Sequence, residues 1–249
     1  MKKKFAIVVV FLITYLGFLI ATLPAKIVVN QIPLPQNISL SGITGSAWNT
    51  KVAQVIVDNV AINQVKAELR FWSLFTLTPS LAIQFGDSFL AGPEGKLDIA
   101  LSQEKVEIDN LTVLVKANEI AQHLPLPLPM TAKGNVELRI THTAIELANN
   151  NQCIAANGDI TWSKAGVFAL EQNIKLGEFN GEISCEKGAL ALLLSPDNNL
   201  GLTFSAYVRN GRISGNGFLK PGAKFPIELN SALPFLGRKD NRGRYRLSF

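Results

Sequence analysis

Histidine and cysteine are scarce in this 249-residue chain, which contains two of each. No CxxC or HxxxH spacing occurs, so the sequence offers no set of zinc ligands. The nucleophile elbow GxSxG is absent, and so is a phosphate loop with Lys and Ser or Thr at its end. His123 and His142 stand alone, which favours surface or packing roles. The sequence therefore predicts a protein that is not an enzyme and needs no metal or cofactor.

Charged residues are also few, at 17% of the chain, and the net charge of +5 is concentrated at the two ends. Lys2, Lys3 and Lys4 supply part of it, and the segment 237–249, GRKDNRGRYRLSF, supplies most of the rest. Because no basic stripe runs through the body, nucleic acid is not expected as a partner. A solvated basic end is a simpler interpretation of the tail than contact with an acidic partner or lipid headgroups.

A long apolar run occurs once. Residues 5–23, FAIVVVFLITYLGFLIATL, carry no charge and would form a helix about 28 Å long, which nearly matches the roughly 30 Å bilayer core. We expect an uncleaved transmembrane signal anchor. A cleaved signal peptide is the alternative, but a cut after Ala25 lacks a small residue three positions before it. Basic residues at 2–4 place residues 1–4 in the cytoplasm and residues 26–249 across the membrane.

The remainder of the chain has the pattern of short strands. Residues 24–35 are expected to be an extended linker, because Pro33 and Pro35 disfavour helix. Apolar and polar residues then alternate at 65–72, 106–111, 136–141 and 244–249, with Gly, Asn, Asp and Pro turn signals between them. This pattern predicts an all-β domain over 36–249, mostly antiparallel, in an elongated or curved sheet. The run LPLPLP at 124–129 would divide it into two similar halves.

A glycine-containing segment near the start of this domain, Gly42–Ser46 in the run SGITGSAWNT, could be a ligand loop or a turn. It lacks the spacing of a dinucleotide or phosphate loop. Glycine tolerates positive φ, and Trp48 can pack over an adjoining apolar face. The segment is therefore predicted to be a turn between two strands.

The two cysteines, Cys153 and Cys185, lie in segments that both have a strand pattern. Two cysteines in an exported chain fit one disulfide in an oxidising compartment. Two free buried thiols are the alternative. If the two strands are neighbours, the bond would close a loop that stabilises the fold by roughly 3–4 kcal/mol.

The order of motifs resembles a known family. The apolar span is followed by SGITGSAWNT, VKAELRFWSLFTLTPSLAIQFG, HLPLPLPMTAKGNVELRI, NGDITWSKAGV, NIKLGEFNGEIS and LNSALPFLGRKDNRGRYRLSF. Over nearly its whole length the chain resembles the protein N family of the bacterial type II secretion pathway. Residues 40–86 also resemble the looser group of AsmA-like envelope proteins. The first resemblance implies a single-pass protein of the Gram-negative inner membrane with its C-terminal domain in the periplasm.

Two functional hypotheses follow from the resemblances. The first is a non-enzymatic structural adaptor that contacts other secretion subunits as folded proteins cross the outer membrane. The second is an AsmA-like protein that binds or transfers phospholipid in an apolar groove. In both, we expect the partner or lipid to contact exposed aromatic side chains: Phe71, Trp72, Phe75 and Tyr245.

The cysteine pattern gives a first test. If Cys153 and Cys185 are bonded, protein recovered from the oxidising compartment and denatured without reductant should react with no maleimide. Mass spectrometry would measure the adducts. Two alkylated cysteines per chain would contradict the disulfide.

Overall fold

A single sheet dominates the structure, a computed structural model that describes residues 2–123, 130–148, 151–169 and 171–248. Within these residues the sheet has thirteen strands, and each strand pairs with the next one along the chain. The recorded pairings are all antiparallel. The prediction of an antiparallel all-β fold with one N-terminal apolar helix is confirmed.

The elements follow each other through short connections. The strands are β1 Ile38–Ser46, β2 Asn49–Val57, β3 Val60–Leu69, β4 Ser80–Phe85, β5 Glu94–Leu101, β6 Lys105–Lys116, β7 Thr131–Glu146, β8 Gln152–Ala169, β9 Gln172–Glu186, β10 Ala189–Leu194, β11 Leu202–Arg209, β12 Arg212–Leu219 and β13 Tyr245–Ser248. The helices in the described residues are α1 Lys2–Ala21, α2 Ala25–Val29, α3 Ala117–Ala121 and the 3₁₀ segments Phe71–Leu74 and Ile227–Leu236.

Two-residue turns set the strand order where they occur. Lys187 and Gly188 join β9 to β10 with φ of 50° and 77°, and Asn210 and Gly211 join β11 to β12 with φ of 52° and 69°. Paired positive φ angles match the right-handed twist of the flanking strands, which favours a hairpin. Local turn chemistry of this kind produces a meander rather than a crossover topology.

Strand register gives the sheet one apolar and one polar face, because direct cross-strand partners share a face. One row on the apolar face crosses β4 to β13: Phe85, Gly95, Val113, Leu138, Ile160, Gly181, Leu194, Phe204, Gly217 and Leu247. A row on the opposite face crosses all thirteen strands: Thr44, Lys51, Lys66, Gln84, Lys96, Thr112, Arg139, Asp159, Glu182, Leu193, Ser205, Asn216 and Ser248.

Glycine in the apolar row leaves room for larger neighbours. A Cβ on Gly181 would lie 2.9 Å from Cγ2 of its cross-strand partner Ile160. A Cβ on Gly95 would lie 2.1 Å from the carbonyl oxygen of Thr112. Strands therefore approach closely at these positions, and the larger side chains of the row cover the glycine backbone.

The turn predicted at Gly42–Ser46 is displaced by a few residues. These residues form the end of β1, and the turn itself consists of Ala47 and Trp48. Gly42 and Gly45 do have positive φ, 67° and 89°. A Cβ on Gly45 would lie 2.2 Å from the carbonyl oxygen of Asn49. As expected, the backbone conformation requires glycine here. The two glycines lie at irregular positions inside a paired strand, however, and not in the turn.

The segments predicted to be connectors differ from expectation in one place. Within 24–35, residues Ala25–Val29 form α2, because Pro33 and Pro35 restrict the backbone only at and just before their own positions. The division at 124–129 lies outside the described residues. The strands on either side of it, β6 and β7, pair directly, so one sheet continues across this point. The two-half organisation stays a prediction.

The best-buried apolar cluster lies on β8 and β9 and consists of Ala165, Val167, Ile174, Leu176 and Phe179. Trp162 stacks on Phe179 with 5.3 Å between ring centroids. In the described residues no large side chain is completely buried. A single sheet with little covering layer explains this, because most apolar side chains are shielded only by neighbours on their own face.

The predicted disulfide is confirmed. Cys153 at the start of β8 bonds Cys185 at the end of β9, with 5.6 Å between their Cα atoms. The two strands are neighbours, as expected. The bond therefore joins the two long strands at one end, and the main apolar cluster lies towards their other end.

Truncation of the stacked pair tests this core. Phe179→Ala removes a ring that is 4% exposed and should lower the free energy of unfolding by about 3–5 kcal/mol. Urea unfolding of the full chain in detergent, followed by circular dichroism, would measure it. Phe89→Ala is the matched control, because Phe89 is 97% exposed and its loss should change stability little. Equal effects of both substitutions would contradict the assignment of the core.

Candidate interaction surfaces

Three of the predicted contact residues come together in one exposed cluster. Phe71 lies 5.7 Å from Trp72 and 5.4 Å from Phe75, and Trp72 lies 5.8 Å from Phe75, all between ring centroids. They occupy the connection between β3 and β4, which includes the 3₁₀ segment Phe71–Leu74. We call residues 71–77 the aromatic loop. Trp72, Phe75 and Leu77 are 78%, 70% and 80% exposed, so this loop presents apolar area to its surroundings.

Trp48 joins the aromatic loop to the end of helix α1. Its ring packs edge to face on Phe71 at 5.2 Å, and its Nε1 donates a hydrogen bond of 2.9 Å to the carbonyl oxygen of Ile20. The backbone N–H of Ala47 donates to the carbonyl oxygen of Leu23 at 2.8 Å. The turn between β1 and β2 is thus fixed to the chain that leaves α1. The sequence predicted that Trp48 packs over an apolar face. It did not predict the contacts with Phe71 and Ile20, because both are distant from Trp48 in the sequence.

Tyr245, the fourth predicted contact residue, lies elsewhere and is 7% exposed. It packs with Leu219 and Phe225 in a small cluster near the C-terminal 3₁₀ segment Ile227–Leu236. The Nζ atom of Lys239 lies 5.4 Å from the centre of the Tyr245 ring. The side chain is therefore part of the core, and Arg246 is the exposed neighbour on the same strand.

The turn that leads into β13 is organised by Asp240. Its Oδ1 accepts hydrogen bonds from the backbone N–H groups of Arg242 and Arg244, both at 2.9 Å. Its Oδ2 accepts from Nε of Arg244 at 2.9 Å. These bonds to the backbone and guanidinium groups of Arg244 lower the pKa of Asp240 below its ordinary value. The guanidinium also lies 4.0 Å from the centre of the Phe218 ring, so part of the basic tail serves internal contacts.

A small cavity of about 160 Å³ lies beside this C-terminal cluster. Its lining is almost entirely apolar: Met130, Leu200, Leu219, Phe225, Leu229, Ala232, Leu233, Phe235 and Leu236. Pockets that hold drug-sized ligands measure roughly 300–1,000 Å³. This one is too small for a whole phospholipid.

Titratable groups form few clusters. His142 and Asp109, on adjacent strands, approach at 2.7 Å between Nδ1 and Oδ1. Arg70 pairs with Asp98 at 2.9 Å. No group of three or more His, Cys, Asp or Glu residues suited to a metal occurs among the residues that the structure describes. The residues of these pairs are exposed or half-exposed, and charge pairs at such positions contribute about 0–1 kcal/mol each.

The geometry defines a class of protein: a β-meander sheet whose first strand is attached to a single apolar N-terminal helix. The profile of the family described as type II secretion system (T2SS), protein N matches residues 36–248. The chain therefore belongs to the type II secretion system protein N family, and the resemblance seen in the sequence is confirmed.

Curated relatives match the chain over almost its full length. Type II secretion system protein N of Aeromonas hydrophila is 30% identical over 254 residues, covering 100% of this chain and 98% of the relative. The protein of the same name from Klebsiella pneumoniae is 28% identical and covers 98% and 94%. That of Vibrio cholerae serotype O1 is 24% identical and covers 98% and 97%. No solved structure matches the chain.

The Asp240 turn gives a pH-dependent prediction. Because its pKa is lowered on folding, ionised Asp240 stabilises the turn above its unfolded pKa, and this contribution is lost as pH falls through the folded pKa. Asp240→Asn should abolish that pH dependence and reduce hydrogen-exchange protection of the β13 amides several-fold. Exchange measured by mass spectrometry between neutral and acidic pH would show it.

A matched substitution separates this effect from general loss of charge. Asp197 is highly exposed, and the ion pair that it forms with Lys224 is long at 3.9 Å. Asp197→Asn should leave β13 protection and its pH dependence unchanged. Equal protection of β13 in the Asp240 variant and the parent chain would contradict the role of Asp240.

Proposed function

We propose that this chain is a membrane-anchored structural adaptor of the type II secretion system. It stands with α1 in the inner membrane and the sheet in the periplasm, and it contacts other secretion subunits. Family membership carries the proposal. The proposal gives the protein no catalytic role, cofactor or nucleic-acid partner.

The N-terminal helix supports the anchor. Residues Lys4–Ala21 are long and apolar enough to cross a membrane, and none of this segment is buried against the sheet. The basic residues at 2–4 precede it, which favours a cytoplasmic N-terminus. The disulfide between Cys153 and Cys185 fits an oxidising compartment on the other side.

The last strand of the sheet offers a docking edge for a partner. β13 pairs with β12 on one side, and no described strand pairs with its other side. An unpaired strand edge presents N–H and C=O groups that can accept an added strand. The outer side of β1 is partly occupied, because Pro24 forms a bridge with Ser46 at its end and α2 packs on the strand. We therefore assign subunit contact to the β13 edge.

A lipid-handling role is the second candidate, and one observation favours it. The apolar row that crosses β4 to β13 is continuous, yet most of its side chains, such as Phe85, Val113, Leu138 and Phe204, are only half-buried. A half-covered apolar face of this length could receive acyl chains. The small size of the cavity near Leu229 argues against a closed lipid pocket at that end.

In-cell photo-cross-linking discriminates the two roles. A photoreactive amino acid at Arg246, exposed on β13, should trap other type II secretion subunits, which mass spectrometry would identify. The matched control is Lys51, exposed on the polar face in β2, where no strand edge is available and few adducts are expected. Tyr245 is unsuitable for the probe because its side chain is buried.

The same experiment has an outcome that overturns the adaptor. If probes at Arg246 trap no secretion subunit, while a probe at Phe204 on the apolar face traps phospholipid, the lipid-handling role replaces it. Subunit adducts at Arg246 without lipid at Phe204 would support the adaptor.

A further inference from the structure

The aromatic loop is an exposed apolar cluster without charge, outside α1. Residues 71–86 contain no charged side chain. Trp72, Phe75 and Leu77 project from it with most of their surface accessible. Exposed apolar clusters of this kind mark sites that meet a protein or a membrane.

The position of the loop identifies which of these it meets. Trp48 contacts Phe71 and donates to the carbonyl oxygen of Ile20, at the last turn of α1. A helix of 20 residues is about 30 Å long, which is the thickness of the hydrocarbon core. Ile20 therefore lies at the boundary of the core when α1 spans the bilayer. The loop is two ring contacts away from that boundary, at the depth of the lipid headgroups.

The backbone of the loop is suited to a poorly hydrated environment. The N–H of Ser73 donates to the carbonyl oxygen of Arg70 at 3.0 Å, and that of Phe75 donates to Trp72 at 3.2 Å. The Ser73 hydroxyl accepts from the N–H of Ser80 at 2.9 Å. The Thr76 hydroxyl donates to the carbonyl oxygen of Ser73 at 2.9 Å. Groups paired within the loop lose little when water is withdrawn.

We propose that residues 71–77 insert into the interfacial region of the membrane that α1 crosses, on the side where the sheet lies. Tryptophan at this depth is typical of the aromatic belts of membrane proteins, and tryptophan, phenylalanine and leucine together form the apolar face of segments that lie in the interface. The partner is the lipid surface itself. With α1 and the loop as two separate attachments, the first strands of the sheet are held at a fixed height and angle. The inference rests on α1 spanning the membrane, but not on the subunit contacts of β13.

Quenching of Trp72 by brominated lipid tests the insertion. The full chain is reconstituted in phosphatidylcholine nanodiscs whose acyl chains carry bromine at carbons close to the headgroup or near the bilayer centre. The contribution of Trp72 is obtained by subtracting the fluorescence of the Trp72→Phe variant from the fluorescence of the parent chain. We expect shallow bromine to quench this signal by about half or more, and deep bromine to quench it less.

A second tryptophan variant supplies the matched control. Phe89 is also exposed, but it follows the far end of β4, whose six residues span about 20 Å. Phe89→Trp in the Trp72→Phe background should add fluorescence that neither bromolipid quenches. Equal quenching at both positions would show non-specific adsorption and would overturn the inference.

Loss of the aromatic side chains tests the consequence for orientation. In the double variant Trp72→Ser and Phe75→Ser, a spin label at exposed Lys51 should move away from the bilayer or broaden its distance distribution to a headgroup label. Unchanged circular dichroism and an intact disulfide would show that the fold is retained.

Two further outcomes are decisive. A Trp72 signal that neither lipid quenches in the folded parent chain overturns the insertion, as does cross-linking of Trp72 to a protein subunit in cells. Either result leaves adducts at Arg246, and thus the adaptor role, unaffected.

Discussion

Register between neighbouring strands is the constraint on which the rest of this structure depends. Each strand pairs with the next, so a one-residue slip anywhere would move apolar side chains to the polar face. The row from Phe85 to Leu247 and the opposing row from Thr44 to Ser248 persist over ten and thirteen strands. Hairpin turns and glycine at close approaches keep this register. Pairing of each strand with the next, repeated along the chain, stabilises the fold more than one deep core does.

A single-layer sheet has functional consequences. Its apolar face is only half-covered, its β13 edge is unpaired within the described residues, and its stability is reinforced at β8 and β9 by a disulfide and by the Trp162–Phe179 stack. Such a sheet offers exposed edges and faces for contact. That geometry suits the binding of partner chains or lipids, and it places one proposed contact in the β3–β4 connection and the other at the β13 edge.

Attachment to the helix is local and directional. Trp48 and Ala47 fix the β1–β2 turn to the carbonyl oxygens of Ile20 and Leu23, and α2 packs on β1. The aromatic loop, which connects β3 and β4, lies near the helix, whereas β13 is the edge strand at the far end of the strand order. In the strand order, eleven strands stand between β13 and β1, the strand whose end is attached to the helix segment. This separation would allow membrane contact and subunit contact to occur together.

Several features were determined by the sequence itself, because they follow from local pattern and covalent chemistry. Period-two alternation, turn dipeptides and the uncharged run near the N-terminus are sufficient for the antiparallel class and the apolar helix. The two cysteines in strand-like segments were sufficient for the disulfide. Family resemblance rested on the order of whole motifs. Three other features were decided by the tertiary structure alone. Trp48 binds the end of α1, Tyr245 is buried while Trp72 is exposed, and β1 and β13 are the edge strands of the sheet. Those outcomes depend on contacts between residues far apart in sequence, which no local pattern specifies.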